Sequence, residues 1–140
     1  LATNAKEIAQ LKSNPSIRLI AVQADHADLI AGLPMSLAIN IASMQEMDFP
    51  IIEKYFSIMR QSTSAKIMFY CCNREEKELP DGAVIRFDDY PWASQDIILL
   101  DKPCPWHSFY YQFKPPFYRS YIGPIRHRLA CLHQYAGRGV

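Results

Sequence analysis

Between residues 36 and 47 the chain reads SLAINIASMQEM. An apolar run ends here in Asn40, Ser43, Gln45 and Glu46 rather than in a turn of Gly, Asp or Pro. The set offers donors, acceptors and one carboxylate. A carboxylate within hydrogen-bond reach of a substrate hydroxyl can take its proton. Met44 and Met47 flank Glu46, and burial beside them is expected to raise its pKa into a useful range. The plainer reading makes Glu46 a capping or loop-bridging residue. Asp48 stands just before a helical pattern and is the better cap, which leaves Glu46 partly free. Asn40 and Ser43 read first as partners for backbone groups at the strand end.

A second polar pair, Asn73 and Arg74, closes the apolar run AKIMFYCCN. These residues can hold hydroxyls or a phosphate, or simply form a turn with a solvated cation. His107, in PCPWH, is another proton acceptor near neutral pH, and Trp106 beside it can stack on a sugar face. A histidine among aromatics is more often packed than catalytic. Asp25 and His26 follow SIRLIAVQA, where an Asp is commonly a solvated turn residue. Cys104 and His107, taken with Cys71 and Cys72, lack the second paired motif of a structural zinc site, so no metal is expected. The stretch FYYQFKPPFYRSYIGPIRHR interleaves rings and cations as single-strand nucleic-acid surfaces do. A net charge of +1 speaks against that use, and no nucleic-acid partner is expected.

These residues need elements to position them. Residues 4–12 read as a helix, with Asn4 as cap and Glu7 reaching back to it. Residues 16–24 read as a strand, and Gly32-Leu33-Pro34 as a break. LAIN opens a second strand, whose unbroken apolar character predicts burial on both faces. Asp48 and Pro50 start a helix over 49–61, with Ile51, Ile52, Tyr55, Phe56 and Met59 on one face. A third strand spans 65–73. Pro80-Asp81-Gly82 is a turn, AVIRF a short strand, DDYPW a loop, IILL a strand or helix start, and residues 126–134 a final strand.

The 140 residues make one domain, 1–140, with 49% hydrophobic and 21% charged residues. No apolar run is long enough to span a membrane. Two adjacent cysteines inside an apolar run are unlike a disulfide framework, so reduced thiols and a cytoplasmic setting are expected. Leu1 in place of an initiator Met reads as the start of a processed or excised piece. The order of elements is that of an open α/β sheet, where ligands bind beyond the carboxyl ends of the strands.

LAINIASMQEM followed by a helix resembles the fourth strand and next helix of class I S-adenosylmethionine-dependent methyltransferases. KIMFYCCNREEKELPDG, RFDDYPW and ILLDKPCPWH, in that order, resemble a sugar O-methyltransferase family associated with surface-polysaccharide genes. The likeness runs over residues 16–132. It implies a partial Rossmann-like open sheet, mostly parallel, with a C-terminal antiparallel hairpin. The family strand order is 3-2-1-4-5-7-6; SIRLIAVQAD then corresponds to strand three, SLAINIAS to strand four and KIMFYCCN to strand five. The Gly-rich turn after strand one and the acidic end of strand two are absent. The chain thus resembles the C-terminal, acceptor-side part of such an enzyme. The resemblance implies S-adenosylmethionine as cofactor, touched by Asp25, His26, Asn40 and Ser43. It implies a glycan acceptor held by Gln45, Asn73, Arg74 and Trp106, and a base at Glu46 or His107, although relatives carry His where Glu46 stands. Without strands one and two, strand four would be bare, so association into a homo-oligomer through exposed sheet edges is expected. The alternative is a non-catalytic α/β module that acts by binding or assembly.

Overall fold

Asn4 opens the first helix, α1 (Ala5–Ser13), by accepting the Glu7 N–H on its side-chain oxygen at 3.0 Å. Glu7 reaches back to Thr3, one residue beyond the expected cap, and takes its N–H and hydroxyl at 2.8 and 3.1 Å. The computed structural model describes residues 1–105 and 123–134.

The segment 16–24, read as a strand, is not one. Ala21 accepts the Ala2 N–H at 2.8 Å, and a single parallel bridge, Ala2 to Val22, is the only ladder contact it makes among the described residues. β-Propensity expresses packing against neighbouring strands, and among the described residues only Ala2 lies beside this segment. Leu19 is consequently 87% exposed. Residues Ala24–Ile30 instead wind into 3-10 turns, where Asp28 pairs with Lys54 at 2.6 Å.

The parallel unit follows. β1 (Leu37–Ile41) and β2 (Ile67–Arg74) are joined through α2 (Phe49–Arg60), with Leu37 beside Met68 and Ile41 beside Cys72. Asp48 holds the N-cap position of α2 without a side-chain bond; its carbonyl takes the N–H groups of Ile51 and Ile52. Ile52, Phe56 and Met59 pack on β2, with the Phe56 and Phe69 rings edge-on at 5.4 Å. Ile51, expected on that face, stays exposed. A hairpin, β3 (Glu76–Glu78) and β4 (Val84–Arg86), turns at Gly82, whose φ of +86° suits a residue without Cβ. It carries Leu79, Ile85, Phe87 and Tyr90 into the same core.

β5 (Ile97–Pro103) and β6 (Ile125–Leu132) complete a four-stranded sheet in the order β1-β2-β6-β5. Leu99 is an extra residue in β5: the register steps from Ile98–Ala130 to Leu100–Leu129, a β-bulge.

Two expectations about the sheet are corrected. Of its three pairings only β1–β2 is parallel, because β6 runs against both β2 and β5. The mostly parallel, Rossmann-like open sheet is therefore overturned in favour of a small mixed α/β sheet. Nor is β1 buried on both faces. Ala38 faces the α2 core, while Leu37, Ile39 and Ile41 point the other way and are 55%, 62% and 62% exposed. No helix among the described residues is long and apolar enough to cross a membrane.

One ion pair ties the covered face together. Arg60, in the last turn of α2, pairs with Asp96 through two bonds of 2.8 Å and also donates to the carbonyls of Pro91 and His133 at 2.8 and 2.7 Å. Asp96 accepts the N–H groups of His133 and Ala93 as well. Burial pushes the Asp96 carboxyl up, but Arg60 and the two N–H donors outweigh it and hold the pKa below its ordinary value. Arg60→Ala leaves a buried carboxylate without its cation and is expected to cost about 3–5 kcal/mol, read from urea unfolding. A depressed carboxyl pKa contributes stability above the unfolded-state value of about 3.9 and loses it as pH falls through the folded-state value. Below about pH 4 the urea midpoint should thus drop, and more shallowly in Asp96→Asn than in the wild type.

Candidate functional site at the carboxyl ends of β1 and β2

The chain leaves β1 through Ala42, at φ +58° and with its N–H on the Cys72 carbonyl at 2.8 Å. A residue with a Cβ pays roughly 1–2 kcal/mol for the left-handed region, so the surroundings must over-determine it. They do so through side-chain amides. Asn73 is fully buried and donates to Asn40 Oδ1 at 2.9 Å and to Cys71 Sγ at 3.1 Å. Its own oxygen accepts the Gln45 N–H at 3.3 Å. Asn40 Oδ1 also takes the Met44 N–H, and Asn40 Nδ2 donates to the Ser43 hydroxyl oxygen. Gln45, buried too, accepts the Arg74 N–H at 2.7 Å and donates to Glu46 at 3.0 Å.

This network answers why an apolar strand ends in polar residues. Three side chains, Asn40, Gln45 and Asn73, accept backbone N–H groups at a tight exit from a parallel strand, and Ser43 braces Asn40; leaving a buried donor or acceptor unmatched there costs about 1–3 kcal/mol. Asn40, Ser43, Gln45 and Asn73 are brought together as a unit. What remains free for a ligand is smaller. The Ser43 hydroxyl proton is uncommitted, the Glu46 carboxylate is half exposed, and Arg74 Nε is buried with no partner among the described residues.

Glu46 departs from its expected electrostatics. The Gln45 amide, and then Lys77 with Nζ at 3.2 Å, hold its carboxyl below the ordinary value of 4.5 against a weaker upward push from burial. The methionine-flanked carboxylate is thus kept ionised rather than raised. Lys77 arrives from β3, and sequence spacing gave no sign of the pairing.

Asp25 and His26 do not sit at a strand end. Both are exposed on the 3-10 turns, and no hydrogen bond among the described residues joins them to the amide cluster. Trp106 and His107 lie outside the described residues. Cys71 is buried on the α2 side, and Cys72 on the opposite face near Cys104 and Tyr70. Burial pushes both adjacent thiols up to about 12, which keeps them protonated and poor nucleophiles. Among the described residues no group of three His, Cys, Asp or Glu is placed to hold a metal.

A groove of about 400 Å³ adjoins the cluster along β1, on the α2 side. Four of the five methionines line it (Met35, Met44, Met47 and Met59), with Tyr55 on α2, and Asn40 and Ser43 at its polar end. A larger hollow of about 1330 Å³ opens at the other end of β2, against Ser62 and His133. It is walled largely by loops and gathers no comparable network of buried amides.

No family model, no curated protein and no solved structure matches the chain.

Asn73→Ala removes one donor and one acceptor from this sealed network. It should destabilise the fold by about 2–4 kcal/mol in urea. It should also release the backbone N–H of Gln45 to rapid hydrogen exchange.

Proposed function

We propose that the chain is the acceptor-side part of an S-adenosylmethionine-dependent O-methyltransferase that modifies a sugar hydroxyl of a surface polysaccharide in the cytoplasm. One observation carries the reading. The sheet is not the mostly parallel one expected, yet the two strands that the resemblance reads as four and five, β1 and β2, do lie side by side and parallel, and β5 and β6 form an antiparallel pair beyond them. The polar exit from β1 then stands where such an enzyme delivers chemistry.

The residues fit the cofactor in part. Asn40, Ser43 and the methionine-lined groove supply one wall, while residues 1–36 hold no Gly-rich turn to let backbone approach it. Asp25 and His26 belong to the cofactor side on the strength of the resemblance. When bound, S-adenosylmethionine supplies an electrophilic methyl group. Arg74, whose backbone N–H is held by the Gln45 side chain, is the cation for an acceptor hydroxyl or phosphate. Glu46 takes the hydroxyl proton as an ionised carboxylate, with His107 the other candidate, and Trp106 stacks on the sugar.

Transfer of labelled methyl from S-adenosylmethionine to a glycan, assayed with the complete reading frame, tests this. Glu46→Gln should lower turnover at least about tenfold and leave cofactor affinity unchanged, since a base acts in the transition state. With Glu46 as base, the acid limb of kcat/KM lies below pH 4.5, because the carboxyl is held under that value. No transfer by the complete protein overturns the reading. Residues 1–140 alone should bind the cofactor weakly, and micromolar affinity by calorimetry would show the Gly-rich turn to be dispensable.

The second reading is a non-catalytic module that assembles with copies of itself through sheet edges. The exposed apolar residues of β1 favour it.

A further inference from the structure

Parallel pairing uses alternate residues of a strand. The Ala42 N–H reaches Cys72, and the Ser36 carbonyl receives the Met68 N–H, so residues 36, 38, 40 and 42 face β2. The N–H and C=O groups of Leu37, Ile39 and Ile41 therefore point outward, where no described strand pairs with them. Natural edges are usually guarded by a Lys, a Pro or a bulge. LAINI has none of these. Beside this edge runs the methionine-lined groove, apolar and made of side chains that repack readily.

The same chain carries an unpaired segment of matching chemistry. Residues 16–22, SIRLIAV, are rich in strand formers and make one bridge to Ala2. Ile20 and Val22 are half-buried, while Ile17, Leu19 and Ala21, on the alternate side, are exposed. We infer that the β1 edge and its groove accept an added β-strand, and that this strand is residues 16–22 of a second copy. Main-chain bonds to residues 37, 39 and 41 supply the pairing, and Ile17, Leu19 and Ala21 enter the groove.

Within one chain the segment is held at its Val22 end by the Ala2 bridge, and beyond that same end by the Asp28–Lys54 pair to α2. Exchange between two copies is reciprocal and closes on itself. The area is that of a small contact. Ile17 and Leu19 each withdraw about 60–100 Å² in the groove, roughly 240–400 Å² over both copies. Main chain of the two added strands adds to this, and on the opposite face Ile20 and Val22 come to flank Leu37, Ile39 and Ile41. The total stays below the roughly 1,200 Å² of the smaller specific interfaces, as suits a concentration-dependent dimer.

This inference rests on the assembly reading, and sedimentation with amide exchange separates the two. The full chain should pass from monomer to dimer as concentration rises. Protection should then appear at the N–H groups of Leu37, Ile39 and Ile41 and at alternate positions of 17–22. Ile39→Lys and Leu19→Lys, both at exposed positions, should each weaken the dimer at least about tenfold. A dimer lost in Ile39→Lys but kept in Leu19→Lys overturns residues 16–22 as the occupant and leaves assembly through β1 standing. A dimer indifferent to both overturns the edge, and a monomer at every concentration overturns inference and assembly reading together.

Discussion

The covered face of the sheet depends on the pair Arg60–Asp96. An ion pair taken out of water is stabilising only when its remaining donors and acceptors find partners. Here the partners are the chain itself: the carbonyls of Pro91 and His133 and the N–H groups of Ala93 and His133. The end of α2, the entry to β5 and the exit from β6 thus meet at one point. Phe56, one helical turn back, is positioned against Phe69 and Trp92, and the guanidinium lies 5.9 Å from its ring. The helix that follows the polar exit of β1 is held by its far end, which leaves its first turn free to carry the site.

A second cationic group does comparable work at the opposite corner. Arg126 and Arg128 stand side by side on one face of β6, and both bind Asp88 and Asp101. Arg128 also lies over the Trp92 ring at 4.7 Å and Phe87 at 5.1 Å. Two arginines on the central antiparallel strand would repel and demand solvent. Shared carboxylates and ring faces let them close the core instead. The cost of placing β6 between β2 and β5 is met locally, by residues of the loop before β5 and of β5 itself.

Much of this was legible where the signal is local. The period of α2, the apolar run of β2, the Pro-Asp-Gly turn and the Asn4 cap all follow from neighbours in sequence. Part of the amide cluster was legible, since Asn40 and Ser43 read as partners for backbone at the strand end; that Gln45 and, from β2, Asn73 complete it was not. What failed was non-local. SIRLIAV has the composition of a strand, but a ladder needs a neighbour, and composition does not show whether one exists. LAINI looked doubly buried because apolar runs carry no mark of which face goes uncovered. The pKa direction at Glu46 is set first by the adjacent Gln45 amide, with Lys77 arriving from a hairpin to add to it. Arg60 and Asp96, 36 residues apart, gave no hint of each other.

The bulge in β5 has an evolutionary consequence. Asp101 faces Arg128 only because Leu99 is looped out of register; a regular strand of the same length would set it opposite His127, on the wrong face for the arginines. Deleting Leu99 would leave Ile98 opposite Ala130 and Asp101 opposite Arg128, since the pairings on either side already bracket its absence. A single-codon loss in mid-strand usually inverts every later side chain. At this position it would be silent in topology, so the strand can shorten by one residue without surrendering its pattern of inward and outward faces.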